Sequence, residues 1–408
     1  MTRVSTPENP ARARLVRMSA RDPHEPGRTA SPLELFFDLV FVVAVSVASV
    51  QLHHALTEGH VGSGLLSYGM VFFAIWWAWM NFTWFATSFD TDDWLYRVLT
   101  IVQMSGVLVL AAGIEPVFVD GDFTVVVVGY VVMRVAMIAQ WLRASSMAGP
   151  TRGATRAYAA GIAVVQVCWL AFLLLPDALQ GPAWVVLAAA ELAVPVVAES
   201  RGRTPWHPHH ITERYGLFTL IVLGESLLAS SNAIIEALHD EQDLGSLISI
   251  AVLTVVVTAA LWWVYFWPPH HHALDGRLSR SLRYGYVHFF VFAAAGAFSA
   301  GIEVEIDALT GHTALSDVGA SFTVTVPIAV FLLGVWWLAI RDNADRVVNV
   351  VLPVGALLVL CDPVIPVPVT LTAVIMVAIV VVLVLHPPLS GRRPRPARRR
   401  PDRGAPAS

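Results

Sequence analysis

Long apolar segments alternate with short polar connections along this chain. The segments run for roughly 17–25 residues, the length that an α-helix needs to cross about 30 Å of hydrocarbon. A large soluble core would not need so many of them. The pattern predicts an all-α, polytopic integral membrane protein with about twelve transmembrane helices, at 33–55, 65–86, 97–118, 123–142, 157–175, 183–199, 213–237, 246–267, 283–303, 320–340, 346–361 and 367–386.

The composition supports the membrane class. Hydrophobic residues make up 56% of the chain and charged residues only 14%, with a mean hydropathy of +0.65. A soluble domain carries about 25% charged residues. The polar ends, 1–30 and 389–408, predict disordered cytoplasmic tails rich in arginine, and the rest divides into two six-helix halves at 31–200 and 201–388.

Arginine occupies alternate connections between the predicted helices. All 26 basic residues are arginine, and the connections between those that carry it contain acids instead. Basic connections stay on the cytoplasmic side of a membrane. The pattern therefore predicts that both termini lie in the cytoplasm. Only Arg134 is assigned to the interior of a span, in the fourth segment.

Short matches between the two halves suggest an internal repeat. Trp76-Trp77 matches Trp262-Trp263, Arg97 matches Arg283, and Gly113-Ile114-Glu115 matches Gly301-Ile302-Glu303, at offsets of 186, 186 and 188 residues. Glu34 and Glu213 open the first segments of the two halves. With six spans each, the halves would share one orientation and be related by an axis along the membrane normal. Convergent helix-end chemistry is the alternative.

The stretch SPLELFFDLVFVVAVS places two carboxylates, Glu34 and Asp38, where the first helix begins. At i and i+4 they share one helix face, about 6 Å apart. Each raises the proton affinity of the other, whereas a helix start with Ser31 as N-cap and Pro32 at the first position favours the anions. Two interpretations stay open: acids that complement the helix dipole, with Glu34 nearer to water, or a pair that accepts a proton or cation.

Glu225 lies within the apolar run of HITERYGLFTLIVLGESLLASSN, near the predicted bilayer midplane. An ionisable group at that depth is a functional candidate, and we expect it to face the bundle interior. The alternative is a structural hydrogen bond or a charge pair with Arg134. Glu191 and His288 are further titratable groups in predicted spans, and we assign ion or proton handling to Glu34, Asp38, Glu225 and His288.

Histidine and tryptophan clusters occur near the predicted helix ends. HPHH (207–210) and HHH (270–272) have neither cysteine nor helical metal-ligand spacing, so we expect solvated loop histidines and no resident metal. The tryptophans at 76–79, 262–267 and 336–337 predict interface anchors. Motifs of hydrolases, nucleotide binding and zinc peptidases are missing from the sequence, so we expect no cofactor and name no catalytic residue.

Three motifs together resemble the bacterial low temperature requirement A family: SPLELFFDLVFVVAVS, HITERYGLFTLIVLGESLLA and YGYVHFFVFAAAGAFSAGIE. The resemblance implies a polytopic inner-membrane protein linked to growth in the cold, and it implies no established substrate. The HHH run is not part of the family pattern. The positions that match the motifs are Glu34, Phe37, Asp38, His210, Glu213, Gly216, Glu225, His288 and Glu303, of which His210, Glu213 and Glu303 stand at helix starts or interfaces.

Three functions remain open from the sequence. The first is a transporter coupled to protons or cations, whose partners are the lipid bilayer and an unknown small solute or ion, with no nucleic acid. The second is a membrane-embedded enzyme that acts on a lipid or isoprenoid and uses the same acids as general acid and base. The third is a cation channel, because the first helix and the six-plus-six layout weakly resemble lysosomal potassium channels.

Overall fold

The computed structural model describes residues 15–147, 149–239, 244–274, 277–365 and 370–389. Within these residues the protein is all-helical, without strands. Ten helices there are long and apolar enough to cross a membrane. The all-α membrane class predicted from the sequence is therefore confirmed, whereas the count of twelve spans in two repeats stays a prediction.

Each apolar segment of the sequence falls on a helix. The helices are α1 (Pro32–Thr57), α2 (Val61–Phe89), α3 (Trp94–Ala112), α4 (Ile114–Val119), α5 (Thr124–Met147), α6 (Arg152–Phe172), α7 (Asp177–Ser200), α8 (Pro208–His239), α9 (Leu244–Phe266), α10 (Leu278–Thr310), α11 (Asp317–Val335), α12 (Arg346–Cys361) and α13 (Thr370–Leu385). The third predicted segment is divided between α3 and the short α4. A π-helical turn, Trp336–Ile340, follows α11.

Backbone contacts between the connections define two ends of the bundle. At one end the Arg21 N–H, before α1, donates to the Ser88 carbonyl at the end of α2 (2.9 Å). At the other end the Ala314 N–H, before α11, donates to the Thr57 carbonyl at the end of α1 (2.8 Å). We call these the arginine-rich end and the acidic end, after the connections that the sequence places there.

Helices α1, α8 and α10 run side by side in the same direction. Each contacts the other two, and all three begin at the arginine-rich end. We call their shared contact surface the seam. Outside it, α3, α5, α6 and α7 pack in succession, as do α10, α11, α12 and α13. Glycine permits the closest of these contacts, because a Cβ on Gly301 of α10 would lie 2.2 Å from the Thr323 carbonyl oxygen of α11.

The segment before α1 packs against the arginine-rich end. The Arg28 guanidinium donates to the carbonyls of Ala86 (2.9 Å) and Thr87 at the end of α2. The Val16 N–H donates to the Asp93 carboxylate, which caps α3 (2.9 Å). Residues 15–30 of the arginine-rich tail are thus bound to the bundle, while 1–14 and 390–408 lie outside the described residues.

The first tryptophan cluster is buried in the protein. Trp76, Trp77 and Trp79 expose at most 2% of their surface, in the middle of α2. Their assignment as interface anchors is therefore wrong, because two of the indoles are needed as hydrogen-bond donors inside the bundle: Trp77 to Glu191 and Trp79 to Asp38. Trp262 and Trp263 of the second cluster are exposed on the outside of the bundle.

The two ends generate a topology prediction. Reporter fusions at Gly59, Asp177 and Asp362 should report the periplasm, because all three lie in connections of the acidic end. Fusions at Arg152 and Asp342 should report the cytoplasm. A single fusion that reports the opposite side of the membrane would contradict the orientation predicted from the arginines.

Candidate functional site

A capping box positions the first carboxylate. The Ser31 hydroxyl accepts the Glu34 N–H (3.3 Å), and the Glu34 Oε2 accepts the Ser31 N–H (2.8 Å). Pro32 opens the helix, as the sequence predicts. The box fixes the Glu34 side chain over the helix start. Its second oxygen, Oε1, consequently faces the neighbouring helix α8.

Arg214 of α8 binds both carboxylates of α1. Its Nη1 donates to Glu34 Oε1 (3.0 Å), its Nε donates to Asp38 Oδ2 (3.0 Å), and its Nη2 donates to Asp38 Oδ1. The Trp79 indole also donates to Asp38 Oδ1 (2.7 Å). All these side chains expose at most 1% of their surface. We call Glu34, Asp38, His210 and Arg214 the Arg214 cluster.

The Arg214 cluster has two carboxylates for one guanidinium. The His210 Nε2 lies 3.3 Å from Glu34 Oε2, so a neutral His210 leaves the second negative charge unbalanced and an added proton on the ring would balance it. Two polar atoms beside the cluster, His210 Nδ1 and the Tyr96 hydroxyl, are buried without a hydrogen-bond partner among the described residues. The cluster therefore has unused capacity to bind a proton, a water molecule or a small cation.

The sequence interpretation missed Arg214 and placed Glu34 too near to water. Arg214 is the second residue of the predicted segment 213–237, where the sequence interpretation counts it with the connection arginines, whereas α8 begins at Pro208 and places it more than one turn inside the helix. Two acids at i and i+4 on a buried helix face require a buried cation, and this requirement is the signal that could have found it. Glu213 itself is half-buried and accepts the Ala30 N–H (3.2 Å).

Glu225 lies further along the same face of α8, about 16 Å from Arg214 by helix rise. It is half-buried, with the Ser46 hydroxyl of α1 within hydrogen-bonding reach and Glu303 of α10 close enough to interact electrostatically. Glu225 thus faces the interior of the bundle along the seam. Its proposed partner Arg134 lies elsewhere.

Arg134 pairs with Glu191, away from the seam. The Arg134 Nη2 lies 3.3 Å from Glu191 Oε2, and Tyr130 and Trp77 donate to the same carboxylate at 3.0 and 2.8 Å. The four side chains are buried where α5, α7 and α2 meet. Since the fold presents Arg134 to α7 rather than to α8, the pairing with Glu225 considered from the sequence does not occur in the structure.

A second group of charges occupies the acidic end of the seam. The His53 Nδ1 lies 3.1 Å from Glu303 Oε2, and its Nε2 lies 2.7 Å from Asp307 Oδ2. Thr57 also donates to Asp307 (2.9 Å). Ionised carboxylates only accept hydrogen bonds, so a ring that bonds both is an imidazolium. We call His53, Thr57, Glu303 and Asp307 the His53 cluster.

An apolar layer separates the two clusters. Trp79 stacks on Phe218 (4.5 Å between ring centres), and Phe218 contacts Phe292 edge-on (4.9 Å). Val45 and Val222 lie at the same level of α1 and α8, and all five side chains are fully buried. The seam therefore has ionisable groups at both ends and a closed hydrophobic centre.

His288 belongs to an aromatic network beside the Arg214 cluster. Its Nδ1 lies 2.7 Å from the Tyr284 carbonyl and so carries the proton, which leaves Nε2 to accept from the Tyr265 hydroxyl (3.0 Å). The Tyr284 hydroxyl lies 3.2 Å from His270 Nδ1. Burial lowers the pKa of His270 to about 4, so the ring is neutral.

The loop histidines are less solvated than the sequence predicts. His207, His210 and His270 are buried, because the segment before α1 and the connection after α9 cover them. His209 stacks on His271 at 4.1 Å. In the part of the chain that the structure describes, no three His, Cys, Asp or Glu side chains are grouped so that they can hold a metal ion.

The helices and their buried ion pairs define a polytopic α-helical membrane protein. The family model of the bacterial low temperature requirement A protein (LtrA) matches residues 29–385. The chain belongs to this family, which confirms the resemblance of its three motifs. It is also 30% identical over 209 residues to an uncharacterized protein of Rhizobium meliloti (strain 1021). That match covers 49% of this chain and 50% of the relative, so the chain spans about half the length of the curated relative it matches.

Removal of the Arg214 guanidinium should strongly destabilise the fold. Arg214→Gln leaves two buried carboxylates without a cation, and breaking a buried pair costs about 3–5 kcal/mol. Arg97→Gln is the matched control, because the Arg97–Asp92 pair keeps 38% and 37% of its side-chain surface in contact with solvent and solvated pairs contribute at most about 1 kcal/mol. Thermal unfolding of both variants in detergent measures the difference, and equal losses would contradict the role given to Arg214.

Asp90 should make stability depend on pH. Burial, together with the nearby Glu34 carboxylate, raises the pKa of Asp90 to about 6 against the opposing charge of Arg21. The folded protein therefore holds a proton that the unfolded chain has lost, and this stabilisation disappears as pH rises from about 4 to about 6. The loss is at most about 3 kcal/mol. Asp90→Asn should remove this dependence, as measured by melting temperatures between pH 4 and 7. If the melting temperatures of the natural protein and of the variant changed with pH in parallel, the role given to Asp90 would be refuted.

Proposed function

We propose that this LtrA-family protein is a transporter of the bacterial inner membrane that is coupled to protons or monovalent cations. In this proposal both termini are cytoplasmic, so the Arg214 cluster faces the cytoplasm and the His53 cluster faces the periplasm. The cargo is a small solute or ion. One observation carries the proposal: two ionisable clusters lie at opposite ends of one seam, with a closed apolar layer between them.

The free-energy cost of placing these charged clusters inside a membrane protein supports a functional role for them. Charged groups inside a membrane protein are expensive and typically mark ion pathways. The Arg214 cluster keeps an unbalanced carboxylate next to His210, whose Nδ1 has no partner among the described residues. Protonation of His210 or Asp38 would weaken the hold of Arg214 on α1. The contact between α1 and α8 at that end would then loosen.

Glu225 is the proposed relay between the ends. Its carboxylate lies beyond the apolar layer from Asp38, with Ser46 within reach and Glu303 nearby. A proton or cation released at the Arg214 cluster would pass to Glu225 once the layer opens. The closed layer favours alternating access over a continuously open channel. Asp38 is fully buried with both oxygens engaged, which gives a lipid no access to it as a catalytic acid.

The parallel pairing of α1 with α8 supports the two-repeat proposal. Glu34 contacts Arg214 at an offset of 180 residues, and Ser46 reaches Glu225 at an offset of 179. First helices of two equally oriented halves would meet in this way beside an axis along the membrane normal. Superposition of 31–200 on 201–388 by such a rotation remains the direct measurement.

Proteoliposomes on a solid support test the coupling. A pH jump should give a transient current with the natural protein, whereas Asp38→Asn and Glu225→Gln should insert and fold but give at most about a tenth of that current. Glu115→Gln, at an exposed acid outside the seam, is the control. The same two variants should fail to restore growth in the cold in a strain that lacks the protein. Normal currents from well-folded Asp38→Asn and Glu225→Gln variants would contradict the proposal and leave both acids with a structural role only.

A further inference from the structure

A cavity opens between α2, α5, α6, α7 and α10, toward the arginine-rich end. Together with its solvent-filled mouth it has about 540 Å³ of space not filled by protein atoms. Its deepest residue on α2, Met80, lies about 13 Å from the end of that helix by helix rise. None of the charged side chains of the Arg214 and His53 clusters lines this cavity.

Five aromatic side chains line the cavity. Trp141 stacks on Tyr158 with 4.2 Å between ring centres, and Trp84 meets Trp206 edge-on at 5.8 Å. Tyr286 is the fifth, and its hydroxyl donates to the Leu192 carbonyl (2.8 Å). These contacts fix the rings before any ligand arrives. A fixed wall lowers the ordering cost of binding.

The cavity contains one charged side chain among its described lining residues, Glu199. Tyr158 and Thr204 hold this carboxylate in place, through hydroxyl donors at 3.0 and 2.7 Å and the Thr204 N–H at 3.1 Å. Arg203 is close enough to act on Glu199 electrostatically, but it is exposed and its charge is screened by water. The lining therefore favours a cation and disfavours an anion.

We propose that this cavity binds a small organic cation of the ammonium class. The faces of tryptophan and tyrosine rings carry negative potential and attract ammonium groups, and several rings around one carboxylate are the usual receptor for a quaternary ammonium. The inference rests on the proposed function only in taking this cation as the transported solute. Binding itself does not depend on transport.

The cavity and the seam share a wall. The Trp84 indole donates to the Tyr215 hydroxyl (3.0 Å), and Tyr215 follows Arg214 in α8. Gly285 of α10 leaves room at this point, since a Cβ there would lie 3.1 Å from Met80 Sδ and 3.4 Å from the Tyr215 hydroxyl. A ligand against Trp84 would thus act on α8 one residue from the Arg214 cluster, which is how solute and ion binding would be coupled.

Equilibrium binding of radiolabelled choline to the purified full-length protein in detergent tests the site. Competition by 3,3-dimethylbutan-1-ol, the uncharged analogue of the same shape, should be at least tenfold weaker than competition by unlabelled choline. Glu199→Gln and Trp206→Ala should each weaken choline binding at least tenfold, and Trp206→Phe should restore most of it. Trp263→Ala, an exposed tryptophan on α9, should bind like the natural protein.

Equal competition by the uncharged analogue would overturn the proposal, as would unchanged binding in the folded Glu199→Gln and Trp206→Ala variants. If either variant fails to fold, the competition experiment on the natural protein still decides. The two proposals fail separately. Choline binding without ion-driven currents would refute transport alone, and currents without choline binding would refute the cavity alone.

Discussion

The sharing of one guanidinium between two carboxylates binds α1 to α8 at the arginine-rich end of the seam. Arg214 lies on α8, whereas Glu34 and Asp38 lie on α1, and the three are almost fully removed from solvent. The attraction in such a medium is strong, yet each charge also lost its hydration, so the two carboxylates are stable at this position only while the guanidinium is present. The register of α1 against α8 follows from it. That register in turn determines which residues of the two helices face each other along the whole seam.

Periodicity predicted the helices well, because the need to satisfy backbone groups in lipid leaves few alternatives to a long apolar helix. Each apolar segment became a helix, and the cap at Ser31 formed as its residues indicated. Helix starts were less predictable. Polar first turns such as that of α8 look like connections in hydropathy, so the sequence interpretation counts Arg214, at the edge of its segment, with the connection arginines although its side chain is buried in the bundle.

The sequence does not tell which of the buried ionisable side chains contact each other. Arg134 and Glu225 are both deep ionisable residues, and nothing in their spacing along the chain tells which helices meet. The fold brings Arg134 to Glu191 and leaves Glu225 beside Ser46. The indoles of Trp77 and Trp79 illustrate the same limit: tryptophan is typical of membrane interfaces, but its N–H also suits a buried carboxylate. The membrane class, the helix positions and the candidate acids therefore came from the sequence, and their connections came only from packing.

The segment before α1 gives the arginine-rich end a mechanical restraint. Through Arg28 it is tied to the last turn of α2, and the Glu25 carbonyl holds the ring of His207, which immediately precedes α8. Residues 25–28 thus connect α2 to the start of α8. Separation of α8 from α2 at this end would stretch this short segment before it disturbed either helix. In the proposed transport cycle the length of residues 25–28, more than the strength of any one hydrogen bond in them, would limit how far the two helices can part on that side.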